Sequence, residues 1–275
     1  MDSTNVIAVT NQKGGVGKTT TALNLGIGLA RAGNKVLLVD ADPQGSLTVS
    51  LGIKQPDELT VSIANVMQKT VDDEEMAADF GIIHHEEWID LLPSNIELSA
   101  FEVGLFNTMS RELVLRNYLE TIKKNYNYVL IDCMPSLGMM TINSLAAADS
   151  VLIPSQPNFL SAKGLGLLLK SIAKVKKQIN PKLHVDGILF TMVDNRTNNA
   201  KTIIASLRQA GSGVKVFATE IPFSVKVAEA TLEGKSIFAH DKGGKVAEAY
   251  EALTKEVMEV EQRQRSRLRA EDSVR

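Results

Sequence analysis

The stretch that decides the fold is Asn11-Gln12-Lys13-Gly14-Gly15-Val16-Gly17-Lys18-Thr19-Thr20. It follows an apolar run, Val6–Thr10, that reads as a strand, and it opens a helical pattern over Thr19–Ala32 that Gly33 is placed to end. A glycine-rich turn between a strand and a helix lets backbone N–H groups converge on an anion, and the helix N-terminus adds partial positive charge. In that setting Lys18 is expected to reach the β- and γ-phosphates of a nucleotide, and the Thr19 hydroxyl to ligate Mg²⁺. Gln12 stands where the strict phosphate-loop pattern has glycine, and Lys13 adds a second cation. The loop is therefore a variant form.

Two further segments fit a nucleotide site. Asp40-Ala41-Asp42-Pro43-Gln44-Gly45 closes the run Val36–Val39, and extended alternation puts Asp40 and Asp42 on one face. One such carboxylate can orient the attacking water and the other can hold a metal-bound water. Tyr128-Val129-Leu130-Ile131-Asp132 is an apolar strand ending in a carboxylate, the form of a Walker B segment that serves Mg²⁺. Cys133 follows and reads as a small buried residue.

Beyond these, strand-like runs at Ile89–Leu92, Val151–Ile153, Val185–Met192 and Val216–Ile221 alternate with helical patterns. The helical patterns cover Ser110–Lys124, Ala162–Lys177, Asn199–Ala210 and about Lys245 to Val260. Short continuous β-branched strands alternating with helices predict an α/β fold with a doubly wound, mostly parallel sheet covered on both faces. Gln55–Glu87 shows no strong period and reads as a helical insertion or surface elaboration. Residues 1–262 are expected to form one domain, with 263–275 a polar, frayed tail.

Composition narrows the function classes. The 275 residues are 44% hydrophobic with strand-sized apolar runs, which predicts a sizeable core and no transmembrane helix. The N-terminus lacks a secretory pattern, so the cytoplasm is the expected compartment. A single cysteine excludes an intramolecular disulfide and disfavours thiolate zinc or iron–sulfur sites, and the four histidines have no ligand-like spacing. The net charge of −2 conceals an asymmetry: residues 1–159 carry −9 and residues 160–275 carry +7. Charge divided in this way is consistent with an anionic partner for the second half.

Taken together, Lys13–Thr20, Asp40–Gln44 and Asp132-Cys133-Met134-Pro135-Ser136 resemble the deviant Walker A, switch I and Walker B/switch II motifs of ParA/Soj partition ATPases, within the MinD-like superfamily. The resemblance continues through Asn143–Asp149, Thr191–Thr197 and Ile221-Pro222, and covers about residues 5–260. It implies ATP and Mg²⁺ as cofactors, held by Lys13, Gly14, Gly15, Val16, Gly17, Lys18, Thr19 and Thr20, with Thr19, Asp42 and Asp132 serving the metal. It also implies that Lys13 reaches a partner's phosphates in an ATP-state homodimer, that Lys13, Lys18 and Asp42 are catalytic, and that Met192, Asp194 and Pro222 lie near adenine. The implied partners are non-specific DNA, contacted by Arg196 and Lys226, and a stimulating ParB-like protein, at the nucleoid. Met134, Phe159-Leu160 and Phe223 depart from the family's common residues. The alternatives are a MinD-like membrane regulator and a metabolic P-loop enzyme. Glu256–Arg269 offers too few apolar residues for firm membrane insertion, so no stable membrane association is expected.

Overall fold

The computed structural model describes residues 4–194, 198–209 and 214–272 and, of these, not the side chains of 159–163, 198–200, 207, 209, 265 and 267–272. The described strands are β1 (Asn5–Val9), β2 (Val36–Ala41), β3 (Ile83–His85), β4 (Ile89–Leu92), β5 (Tyr128–Cys133), β6 (Ser150–Ser155), β7 (His184–Val193) and β8 (Val216–Pro222). They form one sheet in the order β3-β4-β2-β5-β1-β6-β7-β8. Every pairing is parallel except the β3–β4 hairpin. The first half of the chain carries helices α1 (Lys18–Arg31), α2 (Ser46–Ser50), α3 (Ile63–Val71), α4 (Glu97–Gly104), α5 (Val114–Ile122) and α6 (Met139–Ala147). The second half carries α7 (Phe159–Gln178), α8 (Asn198–Gln209), α9 (Lys226–Glu233), α10 (Ile237–His240) and α11 (Lys245–Asp272).

The continuous apolar strands are explained by a core on each face of the sheet. Val6 and Ala8 of β1 point into a layer with residues of α3, α5, α6 and α7, while Ile7 and Val9 point into a layer with α1, α10 and α11. Helix α1 is buried along most of its length, and Gly28 lets it close on α11: a Cβ there would lie 2.2 Å from Thr254 Oγ1. The doubly wound α/β class read from the sequence is the class observed.

Three local differences have physical causes. Gln55–Glu87 contains helix α3 but also β3, an antiparallel edge strand of three polar-leaning residues too short to show a period. The helix placed over Ser110–Lys124 is shorter, Val114–Ile122, because Leu113 and Ile122 are flanked by tighter turns. The last helix does not close near Val260 but runs on to Asp272, through residues that lack an apolar period but are good helix formers.

Candidate active site

The parallel strands deliver their carboxyl ends to one edge, with β1, β2 and β5 side by side. Val9 pairs with Asp132, and Asp40 pairs with Asp132 across the other side of β5. The glycine-rich loop leaves β1 at this edge. Gly15 (φ 67°) and Gly17 (φ 81°) adopt the left-handed conformation, which only glycine takes without strain. Helix α1 then starts from Gly17 with no side-chain cap and no acidic residue in its first turn, so its leading N–H groups are available to an anion. A Cβ on Gly14 or Gly15 would meet nothing within 4 Å, so the loop is open on the side facing away from the core.

Lys18 is 7% exposed and its Nζ donates to the Lys13 carbonyl at 3.3 Å. Burial holds its pKa below the usual lysine value, against the pull of Asp132, Cys133 and Asp42. Asp132 is 1% exposed, and neither carboxylate oxygen meets a hydrogen-bond partner among the described residues. Desolvation, with Asp40 second, pushes its pKa well above the carboxylate range, while the nearby Thr19 hydroxyl and Lys18 oppose the shift. A buried carboxylate left in this state beside a lysine, a threonine hydroxyl and a free helix terminus matches a magnesium nucleotide in charge and donor set. The residues present fit that group.

Asp40 and Asp42 stand in different surroundings. Asp40 is fully buried and accepts from Thr48 N at 2.9 Å, Thr48 Oγ1 at 2.8 Å and Asp42 N at 3.2 Å, and burial still raises its pKa to about 6. It ties the loop after β2 to α2. Asp42 lies past the end of β2, half-buried, accepts from Gln44 N at 3.0 Å, and is near enough to act on both Lys18 and Asp132. The alternation argument extended a strand that ends at Ala41.

Lys13 is positioned by residues that sequence reasoning did not find. Its Nζ donates to Gln156 Oε1 at 3.3 Å and to Asn158 Oδ1 at 3.5 Å, while Gln156 Nε2 donates to Gly15 O at 3.2 Å and contacts Met192 Sδ at 3.0 Å. Thr191 Oγ1 donates to Val16 O at 2.8 Å. No local signal marks Gln156, and Thr191 belongs to the stretch of resemblance without an assigned role; both meet the loop because β6 and β7 follow β1 in the sheet. Met192 takes φ 52°, and Asp194 and Pro222 are half-buried, with Val193 paired to Pro222 across the ends of β7 and β8. Of the residues expected near adenine, Met192 is the one that meets the loop, through Gln156 and within 3.9 Å of a Cβ built on Gly17. Arg196 lies outside the described residues. Lys226 is exposed at the start of α9 and ion-paired with Glu229 at 2.8 Å. On α7, Lys170, Lys174 and Lys177 share one solvent-facing side.

Known proteins resemble this chain over most of its length. A family model described as an AAA domain matches residues 4–185. The chain is 43% identical to the sporulation initiation inhibitor protein Soj of Bacillus subtilis, over 92% of this chain and 97% of that protein. It is 40% identical to the chromosome partitioning protein ParA of Caulobacter vibrioides, over 92% and 93%. Among solved structures, cobyrinic acid a,c-diamide synthase from Mycobacterium smegmatis, with bound ATP analog and magnesium, superposes with TM-score 0.81 at 36% identity, covering 92% and 93%. The septum site-determining protein MinD of Pyrococcus horikoshii shares the fold, at TM-score 0.71 and 23% identity over 92% of this chain and 96% of that one.

Proposed function

Because this chain belongs to the ParA/Soj family of P-loop partition ATPases, we propose that it is a Mg²⁺-dependent ATP hydrolase that dimerises on ATP and partitions DNA. In this reading the ATP-state homodimer binds DNA without sequence preference, and a ParB-like partner stimulates turnover. The observation that carries it is the buried, unpartnered Asp132 beside Lys18 at the open end of the glycine loop. Support for the ligands comes from the 36% identical structure, which holds an ATP analog and magnesium. Residues 13–20 would cradle the phosphates, and Thr19, Asp42 and Asp132 would serve Mg²⁺, which when bound neutralises charge on the phosphate oxygens.

The chain's own residues divide the remaining work. Lys18 binds the phosphates from a desolvated position, where its charge is felt strongly. Asp42, half-buried just past the end of β2, orients the attacking water. Lys13 serves the partner's nucleotide once it leaves Gln156 and Asn158. Met192, Asp194 and Pro222 border the base. DNA contact is assigned to the second half, where +7 of charge lies, through Arg196, Lys226 and the α7 lysines. Lys226 contributes weakly, since Glu229 offsets it. Residues 1–262 act as one ATPase domain in the cytoplasm, at the nucleoid.

A membrane-bound MinD-like role has less support. No helix among the described residues is long and apolar enough to cross a membrane. Val257, Met258 and Val260 of α11 pack against the core instead of facing a bilayer. The test is ATP turnover, light scattering and DNA binding at two salt concentrations, with Asp42→Ala alongside. The variant should bind ATP, accumulate the dimer and turn over far more slowly. Equal turnover in Asp42→Ala, or DNA affinity indifferent to nucleotide, would overturn the assignment.

A further inference from the structure

The loop that follows Asp132 is strung between two fixed points. One is β5, ending at Cys133; the other is the first turn of α6, which Asn143 fastens to the start of α5 by accepting from Leu115 N at 3.1 Å and donating to Arg111 O at 2.8 Å. Between them, Ser136 Oγ accepts from Gly138 N at 3.1 Å and Thr141 Oγ1 donates to Ser136 O at 2.9 Å. Helix α6 starts from Gly138, which has no side chain with which to cap it. The cap comes from elsewhere: Glu102 of α4 accepts from Met140 N at 3.0 Å through Oε1.

Gly138 and Glu102 depend on each other. A Cβ at Gly138 would lie 2.6 Å from Glu102 Oε1 and 3.2 Å from Ser136 Oγ. Gly138 has ordinary backbone angles, φ −69° and ψ −176°, so left-handed geometry is not what calls for glycine there. What calls for it is the approach of the carboxylate. A carboxylate on a leading N–H of a helix is a strong cap, because the acceptor is charged and the helix terminus is partially positive. Glu102 is half-buried, which limits competition from water.

We infer that Glu102 is a positioning residue for ATP hydrolysis: by capping α6 at Met140 it fixes the segment 134–138 that leads away from Asp132. This rests on the ATPase reading above. Among the described residues Glu102 makes no hydrogen bond to the glycine loop or to Asp132, so it acts through the segment and not on the nucleotide. Losing it frees the first turn of α6 and lets the segment sample positions in which the carboxyl edge is not assembled for the transition state. Ground-state nucleotide binding, which rests on the loop at 13–20, is left largely intact.

The experiment compares wild type, Glu102→Ala, Glu102→Gln, Gly138→Ala and the Glu102→Ala/Gly138→Ala pair. It measures kcat, KM, ATP affinity and amide exchange across 134–142. Glu102→Ala is expected to lower kcat about tenfold with ATP affinity changed by about twofold or less. Glu102→Gln keeps an acceptor oxygen and is expected within about threefold of wild type. Gly138→Ala pushes Glu102 off its cap and should match Glu102→Ala, and the pair should be no worse than either alone. Exchange across 134–142 should speed up in both single alanine variants. Unchanged kcat in Glu102→Ala, glutamine no better than alanine, or losses that multiply in the pair would each overturn the inference. If the wild type itself hydrolyses no ATP, the proposed function fails, and the exchange measurement alone decides whether Glu102 holds the segment.

Discussion

Replacing Asp132 with asparagine should raise the stability of the nucleotide-free protein while removing the Mg²⁺-dependent activity proposed above. Asp132 is 1% exposed, has no hydrogen-bond partner among the described residues, and is paired in register with the fully buried Asp40. Neighbouring strands lie about 4.8 Å apart, and two carboxylates at about 5 Å repel by about 3 kcal/mol at an effective dielectric near 20. Burial raises Asp40 to about 6 and lifts Asp132 well above the carboxylate range. An acid raised in the folded state binds its proton more tightly there than in the unfolded chain. The stability it contributes is therefore full below about pH 4 and is lost as pH climbs through its folded pKa. For Asp40 that loss runs from about pH 4 to about pH 6, and for Asp132 it starts from the same pH and continues as far as its raised folded pKa. Asparagine resembles the protonated acid in shape and cannot ionise, so the upper part of the loss disappears. At pH 8 the variant should gain about 1–3 kcal/mol more than at pH 5, or about 3–9 °C in Tm, and the gain should vanish only below about pH 4. Calorimetry of ligand-free wild type and variant at pH 5, 6, 7 and 8 reads the difference. The same variant should lose most of the thermal shift that Mg·ATP gives the wild type, and about a hundredfold or more in turnover. A Tm at pH 8 no higher than wild type, or a gain equal at pH 5 and pH 8, would refute the electrostatic reasoning.

Other outcomes follow from the same geometry. Lys18→Ala removes the buried cation of the glycine loop and should weaken ATP binding by about tenfold to two-hundredfold, corresponding to one charge-assisted hydrogen bond; calorimetric titration giving an unchanged Kd would contradict its role. Lys13→Ala should bind ATP nearly as wild type but fail to form the ATP dimer by light scattering. Gln156→Ala, which frees Lys13 from its 3.3 Å partner, should dimerise at lower ATP concentration, and the reverse order would be evidence against transfer of Lys13 to a partner. Gly28→Ala places a Cβ 2.2 Å from Thr254 Oγ1 and should destabilise the fold by about 1–3 kcal/mol, in a denaturant titration, with Thr254→Ala restoring most of it.

The class of sheet, and the strand, glycine turn and helix start around Lys13–Thr20, were legible in the sequence alone. Val6–Thr10 followed by Lys13–Thr20 encodes strand, glycine turn and helix start within one local stretch, and each part is set by backbone preferences that need no distant partner. The same holds for the apolar strand ending at Asp132, whose continuous β-branched run already requires cover on two faces. Short elements were not legible: β3 has three residues and α10 has four, too few for a period to appear. Tertiary structure alone decided which of two neighbouring acids is structural, because Asp40 turns inward only once α2 brings Thr48 to meet it. It also decided that Gln156 holds Lys13 and that Glu102 caps α6, contacts spanning 143 and 38 residues of chain. Such pairings arise when the sheet sets strands from distant parts of the chain side by side, and a local pattern of residues carries no record of which loops will then share an edge.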